Sequence, residues 1–312
     1  MKYPIKFYLE YAGYLAVEKG INALPHWLLG AVAHGFAILG FSILRIRRKV
    51  MLKNLAIAFP EKSPAERKTI ALRTYKHFSW LILEFMRMHR LTPEELSKRI
   101  IFPQENDFIK RFVRPEQGLI LVSGHFGNWE WVIAYLAMLW RRKVAVIQKK
   151  QKNVLVNQRM ASLRERWGMQ IIYMRGAVRN SLRVLKENAM VGLLGDQDIG
   201  ERGVFVPFFG KNASTPPGAA ILHLKSGHPL VFLVGIRQPD NRVKIELQYI
   251  SLKPPALPAE QAVQELTARY TAELERYIRQ YPEQYFWMHK RWKSARSLES
   301  PSKMPAAVKQ AQ

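Results

Sequence analysis

The residues of this chain best placed to do acid–base chemistry are a histidine and a carboxylate five positions apart, in His125-Phe-Gly-Asn-Trp-Glu130. Gly118–Gly124 before them is a short apolar run ending in glycine, the pattern of a buried strand. Trp129–Trp140 after them is apolar at helical spacing. His125 therefore leaves a strand end, Gly127 permits a tight bend, and Glu130 falls in the first helical turn. That geometry can fold the Glu130 carboxylate onto one imidazole nitrogen and leave the other to take a proton from a substrate hydroxyl. The plainer alternative is a satisfied loop histidine beside a carboxylate favoured by the helix dipole. Ser123-Gly124-His125 raises a serine nucleophile, but the G-x-S-x-G elbow is missing.

The elements around this block alternate. Strands are expected at Lys143–Gln148, Met169–Tyr173, Met190–Leu194, Pro229–Ile236 and Val243–Ile250, and long helices at Pro64–His89 and Glu260–Gln280, with a shorter one at Ala219–Ser226. The fold class this predicts is α/β, a mixed central sheet flanked by helices. Neither an internal repeat nor a Gly/Ser linker divides the 312 residues. Ser294–Gln312 has no apolar period and is expected to be a disordered tail.

Composition narrows the partners. With 49 Lys+Arg against 24 Asp+Glu, a net charge of +25, the surface suits an anionic partner. Helix-turn-helix spacing, zinc ligands and aromatic RNP-like strands are absent, which argues against nucleic acid. With no cysteine there is no disulfide and no thiolate nucleophile. Leu24–Leu44 has 21 residues without Lys, Arg, Asp or Glu, followed by Arg45, Arg47, Arg48, Lys49 and Lys53. This predicts an N-terminal membrane helix over about 24–44, spanning or lying in plane, with a cytoplasmic catalytic part after it. The expected division is an anchor at 1–44, a catalytic domain at 45–293 and the tail at 294–312.

His125-Phe-Gly-Asn-Trp-Glu130 resembles the signature block of the bacterial lipid A late acyltransferases, the lauroyl and myristoyl enzymes of the lysophospholipid acyltransferase superfamily. Four further segments look like that family in order: Arg159–Arg164, Gly195-Asp-Gln-Asp198, Val206–Gly210 with Thr215–Gly218, and Tyr285–Trp292. The resemblance covers residues 1 to about 293. It implies a glycerol-3-phosphate acyltransferase-like fold. The implied reaction transfers a fatty acyl group from acyl carrier protein to a hydroxyl on a Kdo-modified lipid A precursor, at an anionic inner membrane, with no cofactor and no metal.

In that reaction His125 would be the general base and Glu130 its orienting carboxylate. Backbone N–H groups near Gly127 and Asn128, or Arg164 carried over from the family, would stabilise the oxyanion. Arg159 and Arg164 could instead hold a phosphate or sugar carboxylate, or lie on a solvated helix face. Asp196, Gln197 and Asp198 are expected to form a loop network positioning arginine or substrate rather than a metal site. Phe208, Phe209, Gly210 and Thr215 would wall the acyl chain, unless they are turn residues alone. His289 and Arg291, between Trp287 and Trp292, would meet lipid phosphate or simply end a surface helix. Two departures stand out. The superfamily commonly has Asp where this chain has Glu130, and His228 occupies a place where a small residue is expected, which leaves chain-length selectivity open. Other readings of the whole are the same chemistry on another membrane lipid, or a non-catalytic basic binding protein.

Overall fold

The computed structural model describes residues 3–295. Its centre is a seven-stranded sheet whose order follows from alternating strand and helix. The first elements are helices α1 (Ile5–Ala23), α2 (Leu29–Ile38), α3 (Arg48–Ala58), α4 (Pro64–Arg87) and α5 (Pro93–Arg99). Then come β1 (Ile100–Ile101), α6 (Glu105–Phe112), β2 (Leu119–Ser123), α7 (Trp129–Trp140), β3 (Val144–Gln148), α8 (Val154–Glu165), β4 (Met169–Tyr173), α9 (Ala177–Leu185) and β5 (Met190–Leu194). A hairpin, β6 (Val204–Phe208) and β7 (Lys211–Thr215), leads to α10 (Gly218–Ser226), β8 (Leu230–Arg237), β9 (Val243–Ser251) and α11 (Ala259–Gln280). The sheet runs β1-β9-β8-β2-β5-β3-β4, with every pairing parallel except β8–β9.

Both faces of this sheet are covered, so its central strands are apolar throughout rather than alternating. All five residues of β2 are buried. Leu119 and Leu121 join one core with α5, α6 and α7, while Ile120 and Val122 join the other with α9, α10 and α11. The expected helix at 129–140 and the expected strands agree with the structure to within one residue at each end. Helix α4 begins where Ser63 and Glu66 cap it reciprocally, with Pro64 in its first turn. The β6–β7 hairpin was not among the expected strands, since Val206–Gly210 and Thr215–Gly218 read as an acyl wall or as turns. Pro207 lies on the exposed side of a two-stranded ribbon, where its missing N–H costs nothing. Phe209 and Gly210 both take positive φ, +52° and +69°, as a tight two-residue hairpin turn requires.

The membrane helix expected over 24–44 is not found as one continuous span; by length and composition only the bent pair Leu29–Ile43 and Arg48–Ala58 meets the requirement among the described residues. A 3-10 turn at His26–Leu28, α2 and a π-turn at Leu39–Ile43 replace it, and α3 then departs at 92°. Among the described residues no single helix is long and apolar enough to cross a membrane. The reason is packing against α4. Gly30 meets the Trp80 ring and Gly40 meets Tyr75, so α2 buries Leu29, Ala33 and Ala37 while Phe36, Ile38, Leu39, Ile43 and Leu44 face outward. Helix α1 is tied down as well. Glu18 pairs with Arg159 of α8, and Arg87 donates to the carbonyls of Ile21 and Leu24. Most of the expected tail, residues 296–312, lies outside the described residues.

Candidate functional site

Strands β2 and β5 are parallel neighbours, paired up to Ser123 opposite Leu194. Two residues further along each strand stand His125 and Asp196. The register is carried past the strand ends by the Gly195 N–H, which donates to the Ser123 carbonyl at 2.8 Å. Both side chains therefore leave the carboxyl end of the sheet together, where open α/β folds place their sites. The His125 Nδ1–H donates to Asp196 Oδ1 at 2.7 Å, and the His125 backbone N–H donates to Oδ2 at 3.0 Å. With Nδ1 committed, Nε2 is the acceptor nitrogen. The amide nitrogen of Gln197 stands 3.5 Å from it.

The environment sets the charge of both groups. Burial alone would lower the His125 pKa, but the Asp196 carboxylate and its hydrogen bond, with a smaller contribution from Glu130, outweigh burial and raise it. Burial would raise Asp196, and the His125 imidazolium, its hydrogen bonds and the Arg291 guanidinium outweigh that and lower it. The imidazole is thus neutral only above the pKa of a free histidine. The acidic limb of kcat/KM is expected above pH 6.5 in the wild type and shifted lower in Asp196→Asn, a change read directly from a pH–rate profile. A limb that stays in place would show that Asp196 does not tune the base.

The loop leaving β2 is built to a narrow tolerance. Gly127 has φ +59°, and a Cβ there would stand 1.7 Å from the Gly235 carbonyl oxygen. The Gly127 N–H donates to Gln284 and the Asn128 N–H to Gly235, each at 2.9 Å, while the Phe286 N–H donates to the His125 carbonyl. These bonds correct one expectation: the N–H groups of Gly127 and Asn128 are already satisfied and do not point at a substrate oxygen. Asn128 is fully buried, accepting from the Trp131 N–H and donating to Glu84. It caps α7 instead of facing a ligand.

Glu130 does not fold back onto His125. Its carboxylate takes a two-pronged pair from Arg164 and accepts from the Trp129 indole. The geometric reason is direction: the first turn of α7 aims Glu130 towards α8, which carries Arg164 and packs against β4. Arg164 also donates to Gln148 at 2.6 Å and lies over the Phe85 ring. Glu130 reaches the imidazole through its field, and Trp129 packs edge-on against the His125 ring at 5.2 Å.

The other sequence-selected residues fall into two groups. Asp196 and Gln197 join the site. Asp198 stands beside it, donating its N–H to His289 Nε2 at 2.9 Å and accepting from Ser294 and the Gly200 N–H. Arg159 is held by the buried Glu18 and does not reach this loop. Phe208 and Phe209 are buried among Phe59, Tyr285, Trp287 and Trp292, so they form core rather than pocket wall. Gly210 makes the exposed hairpin turn. Thr215 is buried, and accepts from Arg291 at 2.6 Å. Arg291 is 1 % exposed and also donates to the Ser214 carbonyl, so it does not face lipid; its charge steadies Asp196 from within. His228 sits at the amino ends of the strands, accepting from the Gly118 N–H and donating to the Leu185 carbonyl. That is the opposite end of the sheet from His125, so it does not shape the site.

Several supporting residues escaped the sequence reading. Glu84 of α4 is buried and gathers Arg237, Asn128 and Trp80. His77 donates from Nε2 to the Gly127 carbonyl at 3.2 Å, and burial pushes its pKa down to about 3. Gln284 exchanges two hydrogen bonds with the Arg237 backbone. Glu84 inside the apolar run Trp80–Met86 was the available signal, since a carboxylate buried in a helix needs a partner.

Comparison with known proteins bears on this geometry. The family model described as bacterial lipid A biosynthesis acyltransferase matches residues 3–294. The lipid A biosynthesis lauroyltransferase of Escherichia coli K12 is 26 % identical over 293 residues, 93 % of this chain and 92 % of that protein. The palmitoleoyltransferase of the same organism is 25 % identical over 269 residues, 85 % and 83 % of the two chains. A phosphatidylinositol mannoside acyltransferase of Mycobacterium tuberculosis is 30 % identical over 118 residues, 36 % of this chain and 37 % of that one. The segment that carries His125 at a strand end beside Asp196 thus lies inside a match spanning the described chain, and the protein belongs to the bacterial lipid A biosynthesis acyltransferase family.

Proposed function

We propose that this acyltransferase moves a fatty acyl group from an acyl carrier protein thioester to a hydroxyl of a Kdo-modified lipid A precursor, at the cytoplasmic face of the inner membrane. The observation that carries the reading is the His125–Asp196 pair with Nε2 left as acceptor. An aliphatic hydroxyl is a poor nucleophile near neutral pH. Nε2 takes its proton as the oxygen attacks the thioester carbonyl, and Asp196 stabilises the imidazolium that forms. Collapse of the tetrahedral intermediate makes the ester and expels the thiolate, which receives the proton from Nε2. The Gln197 amide is the side-chain donor beside Nε2 and is assigned to the oxyanion. The Glu130–Arg164 pair fixes α7 against α8, and the Glu130 carboxylate adds negative potential at the imidazole.

The donor side is supported by charge. Glu165 is the only acidic residue between Arg141 and Lys186, a stretch dense in Lys and Arg whose loops leave the carboxyl ends of β3 and β4. An acidic carrier protein is drawn to such a surface. A second acceptor, a phosphatidylinositol-linked glycolipid, is favoured by the partial similarity to the mycobacterial mannoside acyltransferase. The test is a mass-spectrometric transfer assay with the detergent-purified protein, a panel of acyl carrier protein thioesters and both acceptor types. A gain of one acyl mass on the lipid A precursor supports the first reading. Transfer only to the other glycolipid replaces it.

We read the attachment to the membrane as in plane. The exposed apolar residues Ile5, Leu9 and Val17 of α1, Trp27, and Phe36, Ile43 and Leu44 fit one half-immersed surface, and Arg45–Lys53 follow directly. Replacing Trp27, Phe36, Ile43 and Leu44 by serine is expected to weaken vesicle binding at least about tenfold in high salt, where the basic residues are screened. Flotation with vesicles at unchanged affinity would sink this reading.

A further inference from the structure

Helix α2 starts beside a concavity that the acyl-transfer chemistry does not use. It is a cavity of about 310 Å³, at the small end of the range for ligand pockets, lined by Arg87, Arg90, Arg99, Glu84, Glu95 and Trp131. Its two carboxylates are already committed. Glu84 holds Arg237, Asn128 and Trp80, and Glu95 accepts from the Thr92 N–H that it caps. Two of the three guanidinium groups are held by backbone carbonyls. Arg87 donates through Nη1 to the carbonyls of Ile21 and Leu24, and Arg90 through Nη1 to that of Asn22. Carbonyls at the end of α1 position these side chains without cancelling their charge, and each guanidinium has five donors. Burial, with the like charges of Arg90 and Arg99, pushes the Arg87 pKa down, which marks the three as converging. Arg99 lies over the Trp131 ring at 5.5 Å. Such a cluster of forked donors suits a tetrahedral oxyanion.

Its position names the source of that anion. Leu29, the first residue of α2, is part of the lining, and Trp27 just before it is exposed. The outer face of the same helix carries Phe36 and Ile38, also exposed. The same helix thus lines a polar, cationic cavity at its start and carries exposed apolar residues further along, an arrangement that an anionic headgroup with acyl tails would match. The cavity shares two elements with the active-site loop. Helix α4 carries His77 at Gly127 and Glu84 at Asn128 before Arg87, and Trp131 follows Glu130 in α7.

We propose that this cavity binds the phosphate of an anionic lipid headgroup, with Arg90 and Arg99 contacting the phosphate oxygens and Arg87 supplying charge behind them. That this headgroup belongs to the acceptor lipid rests on the acyl-transfer reading above. The test uses the full chain in detergent and the soluble phosphomonoester lipid dihexanoyl phosphatidic acid, followed by phosphorus NMR line broadening. Dihexanoyl phosphatidylcholine and inorganic phosphate are the comparison probes. The phosphatidic acid is expected to bind, and the Arg90→Gln/Arg99→Gln variant to weaken it at least about tenfold, as loss of charge-assisted bonds would. Arg90→Lys/Arg99→Lys, which keeps the charge and loses the fork, is expected to fall between, and serves if the glutamine variant does not fold. Equal binding by wild type and variants overturns the site. Inorganic phosphate binding as tightly as the lipid overturns the headgroup assignment, and so does phosphatidylcholine binding as tightly. The measurement needs no turnover. A failed transfer assay leaves the cavity standing, and a failed binding assay leaves the transfer reading standing.

Discussion

Replacing Asp196 by alanine is expected to lower the acyl-transfer rate by about 10²- to 10⁴-fold, the same range as His125→Ala, because each removes part of one general base. Without Asp196 the imidazole loses the acceptor that fixes its Nδ1–H tautomer and the charge that stabilises its protonated form. The double variant should cost little more than either single one, since residues acting as a unit are not additive. Glu130→Ala makes the informative contrast. It leaves the guanidinium of Arg164, 13 % exposed, without its carboxylate, so about 3–5 kcal/mol of stability should be lost. Single-turnover rates and denaturant midpoints measured on the three single variants separate the two carboxylates. Wild-type turnover in Asp196→Ala would sink the pairing. A Glu130→Ala protein of unchanged stability and lost activity would transfer the orienting role to Glu130.

The second large effect is on folding. Gly127→Ala must place a methyl carbon 1.7 Å from a backbone oxygen, at a φ of +59° that L-residues disfavour. The opposing atom belongs to β8 in the middle of the sheet, so neither side can yield. A loss beyond about 4 kcal/mol is expected, in the range reserved for distinct mechanisms such as backbone collision. It would be read as lost soluble expression, or as a midpoint shift with inactive residual protein. An active Gly127→Ala enzyme of normal stability would show that the β2–α7 loop has another conformation.

What could be read along the chain was local. Strand β2 and helix α7 were legible from Gly118–Gly124 and Trp129–Trp140 because each is a continuous apolar signal bounded by glycine or a helical period. His125 followed, since a polar residue at the end of a buried strand must face out of the sheet. Its partner did not follow. Spacing along a chain favours Glu130, whereas the sheet sets strand β5 beside β2 and brings Asp196 from 71 positions away. Only the strand order contains that information. The same limit explains residues 24–44. Their composition satisfies a membrane span, yet the fit of Gly30 to Trp80 and Gly40 to Tyr75 is a tertiary fact. Phe208 and Phe209 were assigned to an acyl wall because an aromatic pair beside a turn reads alike whether it faces a ligand or a core.

The bonds from Gln284 and Phe286 to the β2–α7 loop have a consequence for the life of the nascent chain. Synthesis runs from the amino terminus at about 5–20 residues per second, so the segment that closes this loop emerges roughly 10–30 s after His125 does. Until then the histidine and its strand exist, but the strap that holds them is still on the ribosome. A translating chain therefore carries His125 and Asp196 before the strap that closes the β2–α7 loop, and a product truncated before Gln284 keeps the acid–base pair but lacks the bonds from Gln284 and Phe286 to that loop.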